Sequence, residues 1–249
     1  MFLYGVINAS PDSLNSDSIA LDATAAVRRA RYLLENGCQG IDLGGQGSTD
    51  SAVVVPWEDE WNRLRETVKA LSELGVPLSI DSWKPEVVRL ALQNGATVIN
   101  AADGMQSDDM WRIAADLDAP IVLPFLSGPN PRQMEFVRTD PIRVMIEFFE
   151  ERLRVADRFA LRSACILDPG TGFAPSNWPW EERFLYQKHV YSNLQDLRRF
   201  ELPLYIALPW KNTAQHDELL EIVLRQQPEF GRVHYPEKVR RVEKELGLT

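Results

Sequence analysis

The sequence predicts an α/β fold, a (β/α)8 TIM barrel, and three observations carry that expectation. Eight short apolar runs bounded by Gly, Pro or Asp alternate with eight longer segments of helical period. Strictly alternating βα units make a parallel sheet, and eight of them close naturally into a barrel. A length of 249 residues suits such a barrel as one domain spanning 1–249. A doubly wound open sheet is the alternative. The first βα turn, Asn8-Ala9-Ser10-Pro11-Asp12-Ser13, has neither a Gly-x-Gly-x-x-Gly fingerprint nor a P-loop, which disfavours it.

Taken in order, the strands are expected at Leu3–Ala9, Gly40–Gly44, Leu78–Ser82, Val98–Ala101, Pro120–Phe125, Cys165–Asp168, Leu204–Leu208 and Arg232–His234. The first helix, Ala23–Asn36, sets Ala26, Val27, Ala30, Leu33 and Leu34 on one face, with Asp22 to cap it and Gly37 to end it. The second, Trp57–Leu74, is rich in charge, and the third, Pro85–Asn94, opens on a first-turn proline. The others are expected at Asp108–Leu117, Pro141–Ala160, Trp180–Arg199, Ala214–Gln226 and Pro236–Leu246. Pro129–Pro131 and Gly170–Pro179 read as ordered loops, and no segment reads as a domain linker.

Composition narrows the function. With 45% hydrophobic and 25% charged residues the chain can bury a sizeable core, and a net charge of −9 argues against nucleic acid or an anionic membrane as partner. Cys38 and Cys165 lack metal-ligand spacing. No apolar run is long enough to span a bilayer and no signal segment opens the chain, so a cytoplasmic location is the expectation.

The strand ends carry the chemistry. They present Asn8 with Asp12, Asp42 before Gly44-Gly45, Asp81 with Lys84, Asn100 with Asp103, then Asp168, Lys211, and Arg232 with His234. In a barrel these converge on one rim. Each Asp alone reads equally well as a helix cap, and Asp42 in particular as a residue that holds a loop. Together, carboxylates, an Asn and a Lys suit a heterocycle whose edge offers both donors and acceptors, because a carboxylate accepts two parallel N–H bonds. Arg232 and His234, two apart on a strand, suit an anion such as phosphate or pyrophosphate. His189 and His216 fall in helices and receive no role.

The same residues carry a family resemblance. Gly5–Ser13, Ile41–Gly45, Ser79–Lys84, Val98–Asn100, Ile166–Phe173 and Arg232–His234 resemble, in order, the motifs of dihydropteroate synthase. The resemblance implies a pterin-binding TIM barrel of folate biosynthesis. Such a transferase joins 6-hydroxymethyl-7,8-dihydropterin pyrophosphate to an aromatic amine, 4-aminobenzoate, and releases pyrophosphate with Mg2+ on the leaving group. It assigns Asp81, Asn100, Asp168 and Lys211 to the pterin, and Asn8, Arg232 and His234 to pyrophosphate, with Asn8 toward the metal. Of these, Asp81, Lys211, Arg232 and His234 are the catalytic candidates. Asp81 would stabilise positive charge left on the ring as pyrophosphate departs, while Arg232, His234 and Mg2+ would offset charge on the leaving group.

The departures from the pattern lie on the acceptor side. Where the family runs Glu-Ser-Thr-Arg-Pro-Gly this chain has Gln46-Gly47-Ser48-Thr49-Asp50-Ser51, and Ser-Arg-Lys-Ser becomes Pro209-Trp210-Lys211-Asn212. Met-His becomes Pro124-Phe125, and Gly-Phe-Gly-Lys becomes Gly172-Phe173-Ala174-Pro175. Phe173, Thr49 and Asn212 are the acceptor-side candidates. These changes keep two alternatives open beside the synthase: a non-catalytic pterin-binding protein or partner subunit, and a pterin-dependent methyltransferase of the same superfamily. The aromatic-rich segment Trp178–Tyr191 reads either as a homodimer face, as the family's late helices suggest, or as core packing.

Overall fold

Strand β1 (Phe2–Asn8) lies inside one parallel sheet, with β2 (Gly40–Gly44), β3 (Leu78–Ser82), β4 (Val98–Ala101), β5 (Ile121–Pro124) and β6 (Cys165–Asp168) following on one side. On its other side stand β8 (Phe230–Val233) and then β7 (Tyr205–Ala207). The sheet order is β6-β5-β4-β3-β2-β1-β8-β7, and a parallel bridge between Leu167 and Leu204, with the Leu167 N–H donating to the Pro203 carbonyl at 2.9 Å, joins its two edges into a barrel. The computed structural model describes all residues except 14, 48–51, 132, 138, 176 and 249.

Helices α1 (Ala23–Glu35), α2 (Trp57–Ser72), α3 (Pro85–Gln93), α4 (Asp108–Asp116), α5 (Pro141–Arg158), α6 (Trp180–Ser192), α7 (Ala214–Arg225) and α8 (Pro236–Glu245) fill the connections. Asp22 caps α1 as expected, accepting from the Ala25 N–H at 2.8 Å. Two elements differ from the sequence expectation. The segment 180–199 is not one helix, because the chain leaves α6 at Asn193 and continues as a 3₁₀ turn, Leu194–Phe200, that buries Leu194 and Leu197. Strand β8 begins at Phe230, paired with Phe2, two residues before the expected start at Arg232, and ends before His234.

The two-residue period of the strands sorts the buried side chains into two cores. One set, including Leu3, Ile7, Ile41, Leu43, Ile80, Ile99 and Leu167, packs outward under the helices. The other, Tyr4, Val98, Val122 and Tyr205 with Phe2, Ile166 and Phe230, plugs the barrel from within. Gly40 makes room for that plug: a Cβ there would meet the Tyr4 ring at 2.7 Å. The aromatic segment at α6 also turns inward, since Trp180, Phe184 and Tyr186 pack on the outer core and Tyr191 is buried, while Leu185 stays exposed. Among the described residues no helix is long and apolar enough to cross a membrane.

Candidate active site at the carboxyl ends of the strands

The same inward-facing positions that carry the plug continue toward the carboxyl ends as polar residues. Beyond Tyr4 and Tyr205 come Asp42, Asn100, Asp168 and Arg232 on the even-numbered strands, with Asp81 and Asn8 on the odd-numbered ones. Arg232 ties the floor together: its Nε donates to Asp42 Oδ2 at 2.5 Å and its Nη2 to Asp81 Oδ2 at 2.9 Å. Asn100 gives its Nδ2 to Asp42 at 3.2 and 3.4 Å. Asp42, which sequence reasoning leaves as a loop holder, is instead fully buried at the centre of this network. Arg232 is correspondingly turned to acidic partners at the floor, with Nη1 taking no partner among the described residues.

Asp168 is 5% exposed and accepts the Gly170 N–H at Oδ1, 2.8 Å, as the turn after β6 begins. That turn needs Gly170, whose φ is +68° and whose missing Cβ would meet the Phe125 carbonyl at 2.0 Å. Burial pushes the Asp168 carboxyl up to about 7, against the pull of the Gly170 N–H and Arg232, with Asp81 and Asp42 adding repulsion. Burial also raises Asp81, and Asp42 and Glu60 add to that rise against Arg232. Arg232 itself is pulled down by burial, but Asp42 and Asp81 outweigh this and hold it charged.

The mouth above is a cavity lined by Asn8, Asp81, Lys211, Arg232 and His234 from the expected set. Asn100 and Asp168 do not line it; they are seated beneath or beside it at the strand ends. Asn8 gives its Nδ2 to the hydroxyls of Ser13 and Ser18, both at 2.9 Å. His234 is half-buried and lies against Trp210, ring centroids 5.4 Å apart, with its Nδ1 buried and unpaired. Burial, with Arg232 and Arg29 nearby, lowers its pKa to about 3, so His234 offers hydrogen bonding and not the positive charge that pairing it with Arg232 suggests. Lys211 is exposed on the rim, its ammonium over the Trp210 ring. Lys84 turns away from the floor to Glu60, Gln46 and the Val55 carbonyl, at 2.7, 2.7 and 2.6 Å. Asp103 caps its own turn, accepting from the Met105 and Ser107 N–H groups.

On the acceptor side, Phe173 is partly buried and Asn212 exposed, and neither lines the cavity. Thr49 lies outside the described residues. The wall there comes from residues the sequence reading did not single out. Arg183, Gln187 and Tyr191 follow one another at four-residue spacing on one face of α6, a pattern that was available in the sequence. Gln187 donates to the Thr171 carbonyl at 2.9 Å, and the Tyr191 hydroxyl donates to Thr171 Oγ1 at 2.9 Å. His216, given no role from sequence, stacks on Trp180 with centroids 4.4 Å apart and planes 4° from parallel.

Comparison with known proteins gives the same direction. Residues 4–218 match the family model described as pterin binding enzyme. The chain is 31% identical over 211 residues to a dihydropteroate synthase of Synechocystis sp., covering 83% of this chain and 70% of that protein. It is likewise 31% identical over 214 residues to an Escherichia coli dihydropteroate synthase type-3, covering 84% and 80%. Among solved structures, dihydropteroate synthase from Thermus thermophilus in complex with 4-aminobenzoate superposes with a TM-score of 0.81 at 25% identity, covering 100% of this chain and 94% of the other. The Anaplasma phagocytophilum enzyme with bound 6-hydroxymethylpterin-monophosphate gives 0.82 at 24%, covering 100% and 98%.

Proposed function

The chain belongs to the dihydropteroate synthase family of pterin-binding enzymes, and from that premise we propose how the polar barrel floor and the rim divide the work of its transferase reaction. The reaction is that of folate biosynthesis: the amine nitrogen of 4-aminobenzoate, or of a related amine, bonds to the exocyclic methylene of the pterin pyrophosphate. The carbon–oxygen bond to pyrophosphate breaks and pyrophosphate leaves with its electron pair. The observation that best supports this reading is the Arg232 network, which fixes Asp42, Asp81 and Asn100 as a rigid floor beside Asp168.

In this reading Asp168 and Asn100 take the donor-and-acceptor edge of the pterin, Asp81 faces the charge left behind on its ring, and Lys211 reaches the ring from the rim. A preorganised carboxylate in a shielded site stabilises such developing charge without having to reorient. Asn8, His234 and the free edge of Arg232 are assigned to pyrophosphate. The donor set also fits Mg2+, because both Nδ2 hydrogens of Asn8 are taken by Ser13 and Ser18, which leaves Oδ1 as a ligand. Mg2+ keeps waters and substrate phosphate oxygens around few protein ligands, in keeping with the lack, among the described residues, of a cluster of three or more His, Cys, Asp or Glu that would hold a metal alone. Bound there it would neutralise charge on the departing pyrophosphate. A cytoplasmic location and a homodimer resting on the exposed Leu185 face of α6 complete the proposal, and light scattering of the purified protein with and without Leu185→Asp decides the second.

Incubating the protein with pterin pyrophosphate, Mg2+ and 4-aminobenzoate, and following both pyrophosphate and dihydropteroate, tests the function. Equal release of the two products is expected. Pterin binding without either product would favour the non-catalytic alternative. Asp168→Ala should lose pterin affinity by about tenfold or more, the worth of a buried charge-assisted pair, and unchanged affinity would remove Asp168 from the site.

A further inference from the structure

Arg183 is a cation in a cavity wall without a counter-ion. It lines the same cavity as Asp81 and Arg232, yet no ion pair to it exists among the described residues, and its Nε is buried with no hydrogen-bond partner. Among the described residues its one hydrogen bond is a long one, from Nη2 to the Gly172 carbonyl at 3.4 Å. Burial lowers its pKa and no carboxylate opposes that effect, in contrast to Arg232 with its two acids. A guanidinium stays charged at any ordinary pH, so leaving it desolvated and unpaired is costly unless a ligand brings the missing anion.

The side chain is also well seated. Gln187 and Tyr191, one and two turns further along the same helix face, clamp Thr171 next to Gly172. Trp180 and His216, stacked on each other, line the same cavity. His216 feels the repulsion of Lys211, Lys238 and Arg183, and with burial as the larger cause its pKa falls to about 4. The ring is therefore neutral, and Arg183 does not share its anion with it.

We propose that Arg183 is a specificity-determining residue of the transferase, pairing with an anionic substituent on the acceptor amine while the acceptor's ring lies along the Trp180–His216 wall. The inference rests on the transferase reading above and deepens it by naming the side chain of this protein that would hold the acceptor's anionic end. The planar fork of Arg183 suits a carboxylate, which accepts two parallel N–H bonds.

The test compares 4-aminobenzoate with its neutral isostere 4-aminobenzamide in the wild type, Arg183→Gln and Arg183→Lys, with Mg2+ and saturating pterin pyrophosphate. The wild type should prefer the carboxylate by at least about tenfold in kcat/KM. Arg183→Gln should bring that ratio close to one through KM, Arg183→Lys should keep part of it, and the KM for pterin pyrophosphate should not move. A preference that survives in Arg183→Gln, or a loss confined to the KM for pterin pyrophosphate, overturns the proposal. If the wild type forms no adduct with either amine, the transferase reading fails separately. Calorimetric binding of the two amines, with 6-hydroxymethylpterin and pyrophosphate present, then decides the role of Arg183. A preference for 4-aminobenzoate that Arg183→Gln abolishes sustains it, and equal or absent binding of the two amines overturns it.

Discussion

Asp42→Asn is the sharpest perturbation of the floor, because it keeps the volume and changes only charge and one donor. Asp42 Oδ2 accepts from Arg232 and Oδ1 from Asn100, so the carboxylate serves two donors from opposite sides. An amide has one acceptor oxygen and a donor nitrogen, so one of those contacts becomes donor against donor. Removing one member of a buried ion pair costs about 3–5 kcal/mol. Arg232 keeps Asp81 at 2.9 Å, and this second partner places the expectation at the lower end, about 3 kcal/mol. For a domain of this size that corresponds to a fall in Tm of roughly 6–12 °C. Urea unfolding monitored by tryptophan fluorescence measures the change at constant m-value. A cost under about 0.5 kcal/mol, the size of an ordinary surface substitution, would refute the argument that Asp42 is the hub of the floor.

Two further outcomes follow from the same geometry. Asp168 and Asp81 are both raised by burial above the usual carboxylate range, Asp168 to about 7, so between about pH 4 and 7 the unfolded chain binds fewer protons than the folded one. The ligand-free protein should then lose stability as pH rises through that window, and pterin binding to an ionised Asp168 should release a proton near pH 6; calorimetry in buffers of different ionisation enthalpy checks this, and binding without proton release would contradict it. Lys84→Met should destabilise by about 3 kcal/mol, since Glu60 is 1% exposed and its ion pair with Lys84, at 2.7 Å, is buried, and chemical denaturation measures it.

The fold was legible because the period of the chain changes cleanly between two and 3.6 residues, and most strand ends carried a residue type that a barrel gathers at one rim. Asp81, Arg232 and His234 needed only that topology to be placed at a common mouth. Asp42 was not legible as a hub, since its partner Arg232 is 190 residues away and an aspartate shortly before Gly44-Gly45 reads as a residue that holds a loop. Arg183 was hidden differently: Glu181-Glu182-Arg183 has the composition of a solvated first turn, and only the closeness of α6 to the loop at Thr171 and Gly172 turns the arginine inward. The break at Asn193 was invisible because Leu194 and Leu197 continue an apolar spacing that a helix would also satisfy.

The charges along the barrel axis form a gradient that matches the proposed substrates from end to end. Asp42, Asp81 and Asp168 face a single arginine at the floor, so the acids there outnumber the cation, and burial with mutual repulsion raises the Asp81 and Asp168 carboxyls. A ring that donates N–H bonds, and gains positive charge as its leaving group departs, favours the ionised floor more in the transition state than in the ground state, which is the condition for catalysis. Lys211 and Arg183 sit on the other side of this balance, as cations that line the cavity without a carboxylate partner among the described residues. In the proposed division of roles the acceptor's anion is therefore favoured toward Arg183, and the pyrophosphate toward the free edge of Arg232. A pterin placed with its ring down would leave the methylene carbon between the acidic floor and Arg183, where the amine has to arrive.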